Sequence, residues 1–173
     1  MTEPLDDAQD RLTRRVLWSL PTGLYLIGSA ALDRRNLMTA NWVLQVATAP
    51  RVVAVSVEAT SLTRELIEGG GGFTVSLLHR ADRALIRRFV KPVAASACTE
   101  DAEGMAMAEV PVILGMGGRP RVVQAAAWLE CDLVRTVDFE SHVVCFGAVT
   151  DAGEATPGAE LLRMEDTRMN YGG

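Results

Sequence analysis

A chain of 173 residues fits one domain, and at that size it removes roughly 70% of its unfolded surface from water, so a full core forms without staples. The formal charge of -5 and the pI near 5.1 offer no basic field for a phosphate backbone, and the arginines are spread among the acids, which excludes nucleic acid as a partner. Cys98, Cys131 and Cys145 are odd in number and form no CxxC pair, so neither a disulfide framework nor a metal clip is expected, and a reducing cytoplasm is the simplest location.

The acidic start, MTEPLDDAQD, has no cationic head before an apolar run, so no signal peptide is expected. Residues 1–13 read as a leader ahead of one domain at 14–173, with a short helix from Asp10 to Ser19 that puts Leu12, Val16 and Leu17 on one side. The longest uncharged stretch, Val16 to Leu32, is broken by Pro21, Gly23 and Gly28 and falls short of the ~20 apolar residues of a membrane helix. Leu24 to Gly28 reads as a first strand, and Asp33 to Asn36 as the turn that closes it. LMTANWVLQV, residues 37–46, begins the second strand, and RVVAVSVE, Arg51 to Glu58, alternates and is rich in β-branched residues, a clear strand.

Ser61 opens a helix over Leu62 to Glu68, stopped by the four glycines at 69–72, and Phe73 to Leu78 is the next strand. Ala81 to Val90 has the spacing of an amphipathic helix, with Leu85, Ile86 and Phe89 inward and Lys91-Pro92 ending it. Residues 93–120 read as a long excursion holding at most one short strand near Val112 to Leu114. Val122 to Val137 and His142 to Asp151 form two β-rich runs joined by Asp138 to Ser141, a hairpin by spacing. Strands and hairpin spacings dominate, so the expected class is mainly β with short helices, an antiparallel barrel instead of a doubly wound sheet.

GMGGRP at 115–120 has Pro120 where the third glycine of a dinucleotide loop belongs, and no strand-to-helix unit surrounds it. The histidines, His79 and His142, have no metal spacing with Cys or carboxylates, so no metal site is expected. Thr60, Ser61 and Thr63 gather at the start of a helix directly after a strand, an arrangement that serves phosphate binding and equally serves N-capping by Ser61. The segment 37–46 carries Thr39, Asn41, Trp42 and Gln45 in a strand-like stretch, which suits either a polar-decorated barrel strand or the wall of a flat ligand.

These pieces, N-L-M-T-A-N-W-V-L-Q-V-A-T-A-P (36–50), R-V-V-A-V-S-V (51–57), T-R-E-L-I (63–67) with F-T-V-S-L-L (73–78), W-L-E-C-D-L-V (128–134), S-H-V-V-C-F-G-A-V (141–149) and the closing N-Y-G-G, run in family order over about residues 14–173. The chain resembles the flavin reductase-like, FMN-binding split-barrel proteins, which include reductase components of two-component flavin monooxygenases and flavin-binding electron carriers. The resemblance implies a homodimeric, Greek-key-like split barrel that binds FMN or FAD near the subunit interface, takes electrons from NADH or NADPH, and passes them to a monooxygenase or other acceptor. It implies that Met38, Thr39, Ala40, Asn41 and Trp42 line the isoalloxazine, followed by Ser56 and Glu58, and that Ser61, Leu62 and Thr63 hold the ribityl phosphate. Tyr171 would complete the pocket, and His142 corresponds to a catalytic histidine near flavin or nicotinamide. Here Glu140-Ser141 replaces the family's Gly-Asp before that histidine, and Ser76 stands where many members have Asn. An electron carrier that holds FMN without NAD(P)H turnover, and a barrel that takes another planar ligand such as pyridoxal phosphate, are the alternatives.

Overall fold

A computed structural model of the chain describes residues 6–102, 104–167 and 169. A helix α1 (Asp7–Trp18) precedes strands β1 (Tyr25–Ala31), β2 (Arg34–Ala40), β3 (Val43–Thr48) and β4 (Arg51–Glu58), then helix α2 (Leu62–Gly70) and β5 (Gly72–Leu77). Four short strands follow, β6 (Cys98–Asp101), β7 (Gly104–Met107), β8 (Val110–Leu114) and β9 (Pro120–Val122), and the long hairpin β10 (Ala127–Asp138) and β11 (His142–Glu154) completes the order.

The main sheet is antiparallel, with seven strands in the order β2-β1-β5-β10-β11-β4-β3. Its two edge strands, β2 and β3, are consecutive in sequence and joined only by Asn41 and Trp42. Seven strands at ~4.8 Å spacing span about 29 Å if flat, whereas the link from Ala40 to Val43 reaches about 11 Å at most. The sheet therefore rolls until its edges approach each other at Asn41 and Trp42. Alternation along each strand then sorts the apolar residues into two cores. Ile27, Val53, Val55, Val57, Phe73, Val75, Cys131, Val143 and Cys145 pack together with Ile67 of α2. On the other side, Leu26, Leu37, Ile86, Phe89, Val112 and Val122 join β1 and β2 to the smaller sheet, whose order is β6-β7-β8-β9.

That smaller sheet corrects the expectation of a long excursion over 93–120. Its strands are three to five residues long, too short for a readable period. The turn between β7 and β8 places Ala108 and Glu109 at φ 48° and 62° without the Asn-Gly or Asp-Gly signal that usually marks such a turn. The helix expected over 81–90 is also absent: two 3-10 stretches, Arg80–Asp82 and Leu85–Phe89, stand there, though Ile86 and Phe89 are buried as anticipated. The Ile86 carbonyl, which an α-helix would offer to Val90, instead accepts a 2.6 Å hydrogen bond from Thr39 Oγ1.

Several boundaries move: α2 runs on to Gly70 where Glu68 was expected to end it, β5 is Gly72–Leu77 instead of Phe73–Leu78, and β11 extends to Glu154. Helix α1 starts inside the segment read as a leader, because Asp6 Oδ1 caps it by accepting from Ala8 N and Gln9 N. Its Leu12 and Val16 are 43% and 57% exposed, so the apolar side read from the spacing is not covered by its own chain. The β1–β2 turn is Leu32 and Asp33, with Leu32 at φ 55°, and Asn36, read as a turn residue, sits buried inside β2. The stretch 37–46 is not one strand, since it breaks at Asn41 and Trp42 where the sheet edges meet.

Candidate functional site

A cleft of about 510 Å³ opens between the end of β2, the start of α2 and the segment at 90–92. It is lined by Met38, Thr39, Ala40, Asn41, Glu58, Thr60, Ser61, Leu62 and Thr63, nine of the residues singled out in the sequence, and by Asn36, Lys91 and Met164. The remaining candidates stand elsewhere. Trp42, Ser56 and His142 are not among its lining residues, and Tyr171 lies outside the described residues.

The floor comes from the end of β2. Ala40 is 5% exposed and carries only a methyl group, which leaves room for close approach to the backbone there. Asn41 is 5% exposed, and its Oδ1 has no hydrogen-bond partner among the described residues. A buried amide oxygen left unpaired costs about 1–3 kcal/mol, so this atom is free to accept an N–H at the cleft wall. Thr39 uses its hydroxyl proton on Ile86 O and contributes to the wall by its backbone and methyl.

The other end of the cleft is the first turn of α2. This helix forms because Ser61 caps it and because Thr63, Leu66 and Ile67 give it one buried side. Ser61 Oγ donates to Glu58 O at 2.7 Å and accepts from Arg64 N at 3.2 Å, so its proton is already spent. The N–H groups of Leu62 and Thr63 have no intrahelical acceptor and sit at the positive end of the helix dipole. Thr63 Oγ1 accepts from Asn36 Nδ2 at 2.9 Å, which leaves its own proton to donate. Asn36 Oδ1 accepts from Val93 N at 3.0 Å, so this one amide ties the chain just after Lys91 and Pro92 to the start of α2.

Lys91 is the chain's single lysine; it lines the cleft and pairs with no carboxylate among the described residues. Neither Lys91 nor Asn36 was singled out in the sequence. The lysine looked like a helix stop before proline and the asparagine like a turn residue; the signal available was that sixteen of the seventeen basic residues are arginine and one is not.

Trp42 and His142 form a second, separate patch. Cross-strand pairing sets Glu58 opposite His142 and Ser56 opposite Val144 on one face of the sheet. The Trp42 and His142 rings stand 5.1 Å apart and tilted by 60°, and His142 Nδ1 lies 3.1 Å from Ser141 Oγ. Trp42 O accepts from Ser56 N, which fixes the β2–β3 break against β4. Glu58 belongs to both groups, since it lines the cleft and pairs with His142.

Among the described residues no group of three or more His, Cys, Asp or Glu side chains is placed to hold a metal ion, and no helix is long and apolar enough to cross a membrane. Burial pushes the Cys131 thiol up to about 12 and the Cys145 thiol up to about 11, so both are protonated at neutral pH and serve as core residues.

The mainly antiparallel β fold is that of the flavin reductase-like domains. The chain belongs to that family, whose model matches residues 17–172. It is 34% identical over 149 residues to the high molecular weight rubredoxin of Moorella thermoacetica, covering 85% of this chain and 62% of that one. The chain thus spans less than two thirds of the length of the curated relatives it matches. Among solved structures, the NADH:FAD oxidoreductase SgcE6 of Streptomyces globisporus C-1027 superposes with a TM-score of 0.76 at 24% identity, covering 94% of this chain and 93% of that one. The flavin reductase PheA2 superposes with a TM-score of 0.72 at 25% identity, covering 92% and 93%.

Proposed function

We propose that the chain is an NAD(P)H-dependent flavin reductase, which binds FMN or FAD in the cleft and passes reduced flavin, or its electrons, to a monooxygenase or other acceptor. The observation that carries this reading is the pairing, in one cleft, of an orphaned buried amide oxygen at Asn41 with unspent helix amides and a lysine at Leu62, Thr63 and Lys91. A flavin phosphate fits the second set and the polar edge of an isoalloxazine fits the first. When bound, the flavin supplies the hydride chemistry. The chain's residues hold and orient it: Asn41 accepts an N–H, Met38, Ala40 and Met164 exclude water from its faces, and Thr63 and Lys91 fix the phosphate. Glu58 and the Trp42–His142 patch flank this site and are assigned to the nicotinamide side.

The two structural matches described above carry the names NADH:FAD oxidoreductase and flavin reductase, which supports the reductase reading. The sheet rolled onto its own edges supports a split barrel. A homodimer is supported by α1, none of whose described residues is buried, and by β3, which exposes Leu44 and Val46. Three free thiols support a reducing, cytoplasmic location.

The test is to record the spectrum of the purified protein, then follow NADH and NADPH oxidation with FMN and with FAD against a protein-free control. Turnover that saturates in flavin upholds the reductase and names its donor; no flavin binding overturns it. A second reading, an electron carrier that keeps FMN and lacks NAD(P)H turnover, is favoured by the 34% identity to a relative named as a rubredoxin. Bound flavin that NADH and NADPH both fail to bleach would select it.

A further inference from the structure

Two glycine-rich runs, 69–72 and 115–120, lie outside the cleft, yet they meet each other. The 115–120 loop turns through Gly117 and Gly118 at φ 64° and 72°, and is anchored where Met116 N donates to the buried carboxylate of Glu130 at 2.8 Å. It delivers Arg119, only 4% exposed, to the back of α2. There Arg119 Nη2 donates to Gly70 O at 3.2 Å, while Nη1 donates to Cys131 O at 3.1 Å and to Asp132 Oδ1 at 3.0 Å. Gly70 is the last residue of α2, so its carbonyl is one of those a helix leaves without an internal donor.

The glycines are shaped around this contact. A Cβ on Gly72 would stand 2.4 Å from Arg119 Cζ and 2.3 Å from Cys131 O, and a Cβ on Gly70 would stand 1.7 Å from Ala30 O. The last turn of α2 is thereby pressed on β1 and held from behind by one guanidinium that also bonds β10. A helix of nine residues is about 13 Å long and stiff along its axis, so a contact at its C-terminal end acts together with the Ser61 and Thr63 hydrogen bonds at its start to set where its first amides point. A cation at the C-terminal carbonyls also complements the helix dipole.

We propose that Arg119 is a positioning residue for the phosphate end of the cleft: by clamping Gly70 O to β10 it sets the axial position of α2 and hence the aim of the Leu62 and Thr63 amides. This rests on the reading of the cleft as a flavin phosphate site. Arg119 acts through the helix, so its removal should weaken binding of a phosphorylated flavin more than that of the same flavin without phosphate.

The experiment measures dissociation constants for FMN and riboflavin by fluorescence quenching, together with Tm, in the full chain and in Arg119→Lys, Arg119→Met and Asp132→Asn. The unaltered protein should prefer FMN to riboflavin by about tenfold or more. Arg119→Lys should cut that preference by about threefold with riboflavin affinity unchanged, and Arg119→Met should cut it further. Asp132→Asn, at a half-exposed position, removes the charge that pairs with Arg119 and should move the preference the same way by less. A lower Tm with the preference intact would make Arg119 merely structural and overturn the proposal. Where the Arg119 variants do not fold, an unchanged preference in Asp132→Asn overturns it alone. No preference for FMN in the unaltered chain removes the phosphate reading and this inference with it, whereas a preference that survives in every variant removes only the inference.

Discussion

At its C-terminal end α2 is tied entirely to its own chain: Gly70 O is taken by Arg119, and Gly71, in the left-handed region, turns its N–H back to Ile67 O. At its N-terminal end, nine residues earlier, Ser61 takes the Arg64 amide and leaves those of Leu62 and Thr63 without an acceptor inside the helix, in residues that line a cleft with Lys91. The same helix is closed at one end and open at the other. Polar groups that a fold can satisfy locally, and here does, belong to stability; groups left unsatisfied beside a cavity belong to a ligand. Substitutions at the two ends should therefore separate into those that move Tm and those that move flavin affinity.

The largest effect is expected at the closed end. In Gly70→Ala the new Cβ meets a backbone oxygen, Ala30 O at 1.7 Å, which cannot swing aside as a side chain would. The helix must lift off β1, costing about 3 kcal/mol and lowering Tm by roughly 6–12 °C. An unchanged melting curve by circular dichroism would show that the helix end is not pressed on the strand.

Thr63→Val comes next and straddles both ends of the comparison. It strands the buried Asn36 Nδ2, at about 1–3 kcal/mol of stability, and removes a hydroxyl donor from the cleft. FMN affinity should fall about tenfold and riboflavin affinity much less; equal loss for both would take Thr63 out of the phosphate site. Lys91→Met keeps an apolar stem of similar length and removes only the charge. It should weaken FMN by about tenfold at low salt and less at high salt, with Tm nearly unchanged. A salt-independent loss would mean that the lysine acts by packing.

What was legible in the sequence follows the same division. Strand β4 was read to the residue because four valines in eight residues, Val52, Val53, Val55 and Val57, mark a strand, and the Ser61 cap was read because its chemistry is local. Of the smaller sheet only β8 was anticipated, as the short strand near Val112 to Leu114; β6, β7 and β9 were missed because they are held by pairing with one another and by the apolar face of β1, neither of which leaves a period in five residues. Lys91 and Asn36 were missed because their meaning depends on a contact across the fold: a buried amide in β2 brings the 91–93 segment to the first turn of α2. Of the glycines at 69–72, read together as the stop of the helix, only Gly71 caps it, while Gly69 and Gly70 belong to α2 and Gly72 to β5; the close approaches at Gly70 and Gly72 come from Ala30 and Arg119, 40 and 47 residues away in sequence, and no local pattern records them.

The smallest effect is expected at Ser61, where the sequence left capping and phosphate binding side by side. The geometry separates them. Ser61 Oγ has given its proton to Glu58 O and taken the Arg64 amide, so it has no donor left for a phosphate, which accepts hydrogen bonds and gives none at neutral pH when fully ionised. Ser61→Ala should therefore behave as a lost cap, costing about 1 kcal/mol and roughly 2–4 °C of Tm, with the FMN-to-riboflavin preference nearly kept. Ser61→Asp, which caps as well and adds a negative charge, should restore Tm while repelling FMN. If Ser61→Ala instead loses FMN as Thr63→Val does, the serine must release Glu58 O when flavin binds, and the open end of α2 rearranges on binding where the structure has it already poised.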